Sequence, residues 1–170
     1  MDSKNRTTVA LVTILLWGAG CSASTDLVSK ECRTAVTMPA RPVYEPSDSV
    51  VDGKPITYHQ YRSLQDGITY GFVCAPRTKL MEGKDVDQAF NSVRQGFLID
   101  GDKQLLSEHN VLLKTIQGRE FLLKAAAYMM RDRVYLFPDS MVNVWVIGSQ
   151  ADVASAAADR FLDSLRVVAR

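Results

Sequence analysis

The spacing of apolar residues changes character repeatedly along this chain, and each change marks a different kind of element. Thr8 to Trp17 is an almost unbroken apolar run, shorter than the roughly 20 residues an ordinary bilayer-spanning helix takes. From Cys32 the pattern alternates. Cys32, Thr34, Val36 and Met38 share one side of an extended segment that Pro39 and Pro42 end. Glu45-Pro-Ser-Asp-Ser49 reads as a turn region. Ile56 to Leu64 and Ile68 to Cys74 read as strands joined at Gln65-Asp66-Gly67, an Asp-Gly hairpin signal. Val86, Ala89, Phe90, Val93, Phe97 and Leu98 then recur at helical spacing. Asp85 with Gln88 forms a capping-box start to that helix, and Asp100-Gly101 ends it.

Alternation returns in Gln104–Lys114, Arg119–Ala125, Ala127–Phe137 and Val142–Ile147, with turns expected at Gln117-Gly118 and Pro138-Asp139. Ser149–Ser155 is polar, and Ala156 to Val167 reads as a closing helix. Val153, Ala157, Phe161 and Leu165 would face the sheet. Strands bracketing two helices imply a single α+β domain over residues 32–170, a mostly antiparallel central sheet flanked by helices.

Lys4 and Arg6 precede the first apolar run, and Gly18-Ala-Gly-Cys21 follows it, so residues 1–20 read as a signal peptide. The small residues before Cys21 look like a bacterial lipobox, although Gly18 stands where leucine is usual. On that reading Cys21 is lipidated and becomes the N-terminus, and the polar stretch through residue 31 is a short tether. Acyl chains add roughly 0.8 kcal/mol per buried CH₂, so several chains hold a protein stably on a bilayer. Ser22 in place of Asp favours the outer membrane or the periplasmic face of the envelope. The rivals are ordinary cleavage after Gly20 or Ala23, giving a soluble envelope protein, and an uncleaved anchor.

Charge changes the picture by exclusion. Without residues 1–20, which hold Lys4, Arg6 and Asp2, the 20 basic and 19 acidic residues become 18 of each. A neutral chain with no basic stripe is unlike a nucleic-acid module. With Cys21 acylated, Cys32 and Cys74 remain as a pair in an oxidising compartment, either bridged or standing as two separate buried thiols.

Catalytic patterns are missing. His59 and His109 have no companion at metal-ligand spacing, and there is no H-E-x-x-H, C-x-x-C, nucleophile elbow or phosphate loop. No cofactor or metal is expected, and no enzymatic activity. Asp85 and Asp87 point to different sides of a helix and read as charges favoured by its dipole. Two binding candidates remain. Tyr58, Tyr61 and Tyr70 form either an aromatic patch or ordinary cross-strand packing. Arg131 and Arg133, beside Met129-Met130, give either a soft basic edge for a partner or solubilising charges on an edge strand. Arg119 and Glu120 read as surface charges, solvated or paired.

Met38-Pro-Ala-Arg-Pro42, Gly118-Arg-Glu-Phe121, Arg133-Val-Tyr-Leu-Phe137 with Val142–Ile147, and Asp159-Arg-Phe-Leu-Asp-Ser-Leu-Arg166 occur in order over residues 32–167. In that order they resemble bacterial envelope proteins of the PsbP/Mog-like fold family. The resemblance implies a layered sandwich used mainly for binding or assembly, and it implies no activity. The expectation is therefore a non-enzymatic scaffold, tethered to a membrane through lipid on Cys21, with a protein partner and no nucleic acid. The alternative is a carrier of a small apolar ligand held between helix 85–99 and the sheet, at Phe90, Val93 and Phe97.

Overall fold

The computed structural model describes residues 23–51, 54–76, 85–99 and 101–168. The leader and Cys21, with its expected lipid, lie outside the described residues. The described elements run β1 (Thr25–Ser29), β2 (Thr34–Met38), β3 (Val43–Val51), β4 (Lys54–Gln65), β5 (Ile68–Pro76), α1 (Val86–Leu98), β6 (Lys103–Leu113) and β7 (Ile116–Ala125). There follow β8 (Met129–Leu136), β9 (Ser140–Gly148), α2 (Gln150–Val153), α3 (Ala156–Asp163) and β10 (Arg166–Val167).

Two antiparallel sheets result. The larger has seven strands in the order β3-β4-β5-β9-β8-β7-β6, and the smaller is β1-β2-β10. Strands take 59% of the described residues and helices 19%, which corrects the expectation of a helix-flanked α+β domain. On one face of the large sheet the small sheet packs alongside α2 and α3, where helices alone were expected. Cys32, Val36 and Met38 of that small layer meet Phe72, Val142, Val144 and Phe161 in the main core. On the opposite face α1 lays Ala89 and Phe90 on Phe121, Leu123, Val134 and Leu136. Complete burial of a phenylalanine such as Phe90 contributes roughly 1.5–3 kcal/mol.

Several local expectations change for identifiable reasons. Thr25–Ser29 lies within the expected tether yet pairs along its whole length with β2, so the domain begins before residue 32. Val43–Val51 is a strand despite Pro46, because it is an edge of the large sheet, where proline is admitted. The β6–β7 turn falls at Lys114-Thr115, with Lys114 at φ 55°, three residues before the expected Gln117-Gly118. Gly118 is instead within β7, opposite Tyr135, whose ring occupies the space a Cβ would need. Polar Ser149–Ser155 contains α2, started by a reciprocal Ser149–Asp152 capping box.

The closing helix stops at Asp163. The Ser164 hydroxyl donates to the Phe161 carbonyl and accepts from the Thr37 amide of β2. Arg166 and Val167 then pair with β2 in extended form. The buried alanine of α3 is Ala158, not Ala157.

Other expectations match. Asp66 (φ 53°) and Gly67 (φ 79°) make the β4–β5 turn with positive φ at both central residues. The Asp85 carboxylate accepts from the Gln88 amide at 2.7 Å and starts α1. The Phe137 amide bonds the Ser140 carbonyl around Pro138-Asp139.

Candidate functional site

β7 occupies an interior place in the large sheet, with both faces covered nearby, and its charged pair Arg119-Glu120 is buried. Successive strand residues point to opposite faces, so the two serve different layers. Arg119 faces α1. Its guanidinium binds Asp87 and Glu108, each at 2.6 Å, and stacks on the Phe90 ring at 4.7 Å. Arg94 of α1 adds a second contact to Glu108.

Glu120 faces the other way and receives both arginines that the sequence offered as a partner edge. Arg131 bonds Glu120 at 2.8 Å and Asp159 of α3 at 2.6 Å. Arg133 bonds Glu120 and, at 2.6 Å, Asp163 of α3. Burial pushes the Glu120 carboxyl up, but its bonds to Arg131 and Arg133 outweigh that and hold it below the usual range. Burial works against the charge on Arg133 too, and its bonds to Asp163 and Glu120 more than restore it.

This is a correction on both earlier readings. β8 lies between β7 and β9, so Arg131 and Arg133 are on no edge, and their donors are spent fastening α3 to the sheet. Glu120→Gln keeps the shape and removes the charge. The expected cost is about 1–3 kcal/mol in urea unfolding at neutral pH. The depressed carboxyl pKa contributes stability above the ordinary carboxylate range and loses it as pH falls through the native value. The wild-type advantage over Glu120→Gln should therefore shrink in acid. An advantage unchanged by acid would show that the ionised carboxylate is not what holds the arginines.

The three tyrosines are not brought into one patch. In the β4 register Tyr58 and Tyr61 fall on opposite faces of the sheet. Tyr70 is in the core, edge-on to Phe161 at 5.2 Å, and burial raises its phenol. Tyr61 is half-buried against Phe72, and its outward neighbour is Tyr44 of β3 at 4.9 Å. The Tyr44 hydroxyl meets His59 Nδ1 at 2.9 Å. Of this aromatic group Tyr44 is exposed, and His59 and Tyr61 are half-buried. Sequence reasoning missed Tyr44 because Glu45-Pro-Ser-Asp-Ser49 was read as a turn, and the flanking residues carry no hydrophobic alternation. His109 approaches Glu120 at 3.3 Å on the side away from His59.

Cys32 and Cys74 are bridged, with Cα atoms 6.0 Å apart. The bridge ties the β1–β2 connection to β5 and so joins the two sheets. Among the described residues no three His, Cys, Asp or Glu side chains converge as a metal site requires. No described helix is long and apolar enough to cross a membrane.

Open grooves flank these features among the described residues. One of about 570 Å³ lies at the start of α1, between Asp85, Asp87 and Arg119. One of about 620 Å³ has Ser24, Asp66, Tyr70 and Arg160 in its walls. The third, about 430 Å³, runs between α2 and β6–β8 past Leu106, Leu122 and Met129. Of the residues expected to hold an apolar ligand, Phe90 is buried and also lines the first groove, and Phe97 packs edge-on against Phe121 at 5.3 Å.

The strand order and layers can now be set beside known structures. The solution structure of cyanobacterial PsbP (CyanoP) from Synechocystis sp. PCC 6803 superposes with a TM-score of 0.57. The match covers 88% of this chain and 95% of that one, at 9% identity. The fold is PsbP-like. At such identity the likeness concerns the PsbP-like fold alone. No protein-family model matches the chain, and no curated protein matches it in sequence.

Proposed function

We propose that this chain is an exported, lipid-tethered binding or assembly module of the bacterial cell envelope, without catalytic chemistry of its own. The observation that carries the reading is the commitment of its buried charges. Arg119, Glu120, Arg131 and Arg133 are each engaged in fastening a helix to the sheet. At the β3 edge Tyr44 stays exposed beside the half-buried His59 and Tyr61 of β4, a surface for a partner. The leader ending at Cys21 supports export, and the Cys32–Cys74 bridge suits an oxidising compartment.

Two measurements test this. Palmitate labelling of the wild-type protein beside Cys21→Ala should mark only the wild type; equal labelling removes the lipid tether. A photocrosslinker at Tyr44 in intact cells should give a discrete protein adduct that a crosslinker at Asp102, on the opposite side of the large sheet, does not give. Identical adducts at both positions would remove the assignment of the β3 edge.

A further inference from the structure

A lipid anchor at Cys21 would leave the domain very little slack. β1 begins at Thr25, and all five of its residues pair with β2. Asp26 is also held by Arg166 at 2.8 Å and by the Thr37 hydroxyl at 2.7 Å. Only Ser22, Ala23 and Ser24 lie between Cys21 and this fixed strand. Four residue steps span at most about 14 Å. A tether running to residue 31 would have reached more than twice as far.

The start of β1 lies at one particular end of the large sheet. Ser24 shares a groove with Gln65 and Asp66 of the β4–β5 turn and with Arg160 of α3. The register carries that end across the sheet in a single row: Leu64 faces Thr69, Thr69 faces Ile147, Ile147 faces Met130, and Met130 faces Leu123. Leu123 faces Leu105, close to the α1–β6 connection, where Ile99 stands 80% exposed. Leu64 is 67% exposed at the other side of the same end. Arg41, Lys124 and Arg160 are exposed there as well, together with Asp66 and Asp102. From this row to the β6–β7 turn is seven residues of strand, about 23 Å and beyond the reach of the leash.

We propose that this end of the sheet, carrying Leu64, the Asp66-Gly67 turn and Ile99, is the face laid against the membrane, with the β6–β7 turn directed away. The occupant is the lipid surface to which the chain itself is anchored, and the inference rests on the tethered reading above. Exposed leucine and isoleucine at the interface gain by leaving water.

The test uses the full acylated chain, purified from membranes and returned to phosphatidylethanolamine–phosphatidylglycerol vesicles. Leu64→Cys, Ile99→Cys and, at the far end, Leu112→Cys are each labelled with an environment-sensitive fluorophore. All three positions are exposed, so the fold should tolerate the labels. Doxyl-labelled lipid should quench the probes at 64 and 99, while the probe at 112 keeps its emission. A flexible insert between Ser24 and Thr25 should then release the quenching. Equal quenching at all three positions, or none at any on vesicles that retain the protein, overturns the orientation while leaving the tether standing. Failure of the vesicles to retain the protein overturns the tether, and the orientation with it.

Discussion

Reduction of the Cys32–Cys74 bridge should lower the stability of the domain by about 4 kcal/mol. The two cysteines are 42 residues apart, and closing a loop of that size removes that much conformational freedom from the unfolded chain. The bridge also fastens the small sheet to the large one, beside side-chain packing and the Arg33–Asp139 ion pair. In urea the midpoint should fall by about 2 M, given typical slopes for a protein of this size. The Cys32→Ala/Cys74→Ala variant should behave like the reduced wild type, with a further loss from two shortened side chains in the core. Matching midpoints for oxidised and reduced wild type would show that the bridge carries none of the stability assigned to it.

Asp132→Asn should make the domain more stable at pH 8, and the gain should fade towards pH 5. Asp132 lies on the α1 side of β8 and is 1% exposed. One carboxyl oxygen meets Asn143 Nδ2 at 3.4 Å, and the other has no hydrogen-bond partner. Burial pushes this carboxyl up to about 8, against a small opposing pull from Asn143. The folded protein therefore holds a proton that the unfolded chain releases near the ordinary aspartate value. Between about pH 4 and pH 8 the native state binds more protons, so stability falls as pH rises across that window. The full span is on the order of 5 kcal/mol. Asparagine is neutral at every pH and of the same shape, so its variant lacks this slope. Urea melts of both proteins at pH 5 and pH 8 should show the gap widening by a few kcal/mol. A gap that does not change with pH would mean that Asp132 is already ionised in the folded protein.

Both effects concern groups whose partners are distant in sequence, and this sets what could be read from the chain alone. The alternation and the turn signals located β4, β5, β8 and β9 and the hairpins at Asp66-Gly67 and Pro138-Asp139. Those features depend on neighbours within a few residues: positive φ at the turn and period-two burial along a strand. The α1 cap is of the same kind. The PsbP-like arrangement was legible from motif order, but its helix-flanked description was not correct. Nothing local in Thr25–Ser29 or Val43–Val51 announced a strand, because each is an edge whose partner supplies half of the stabilisation.

The largest misreading concerned charge. Arg119, Glu120, Arg131 and Arg133 look like surface residues in sequence, and burial of such groups is tolerated only where opposite charges meet them with good geometry. Whether they meet is settled by strand order. β8 is interior, α3 crosses Glu120's face, and α1 crosses Arg119's face. Asp132 was overlooked for the same reason, since alternation separates it from its flanking arginines and leaves it in an apolar layer. The turns, the local caps and the strand-rich periodicity could be read from the chain alone, because short-range sterics and side-chain chemistry fix them. Which strands are edges, which charges are buried and paired, and which thiols meet emerged with the packed fold, because each depends on long-range contacts that no local preference encodes.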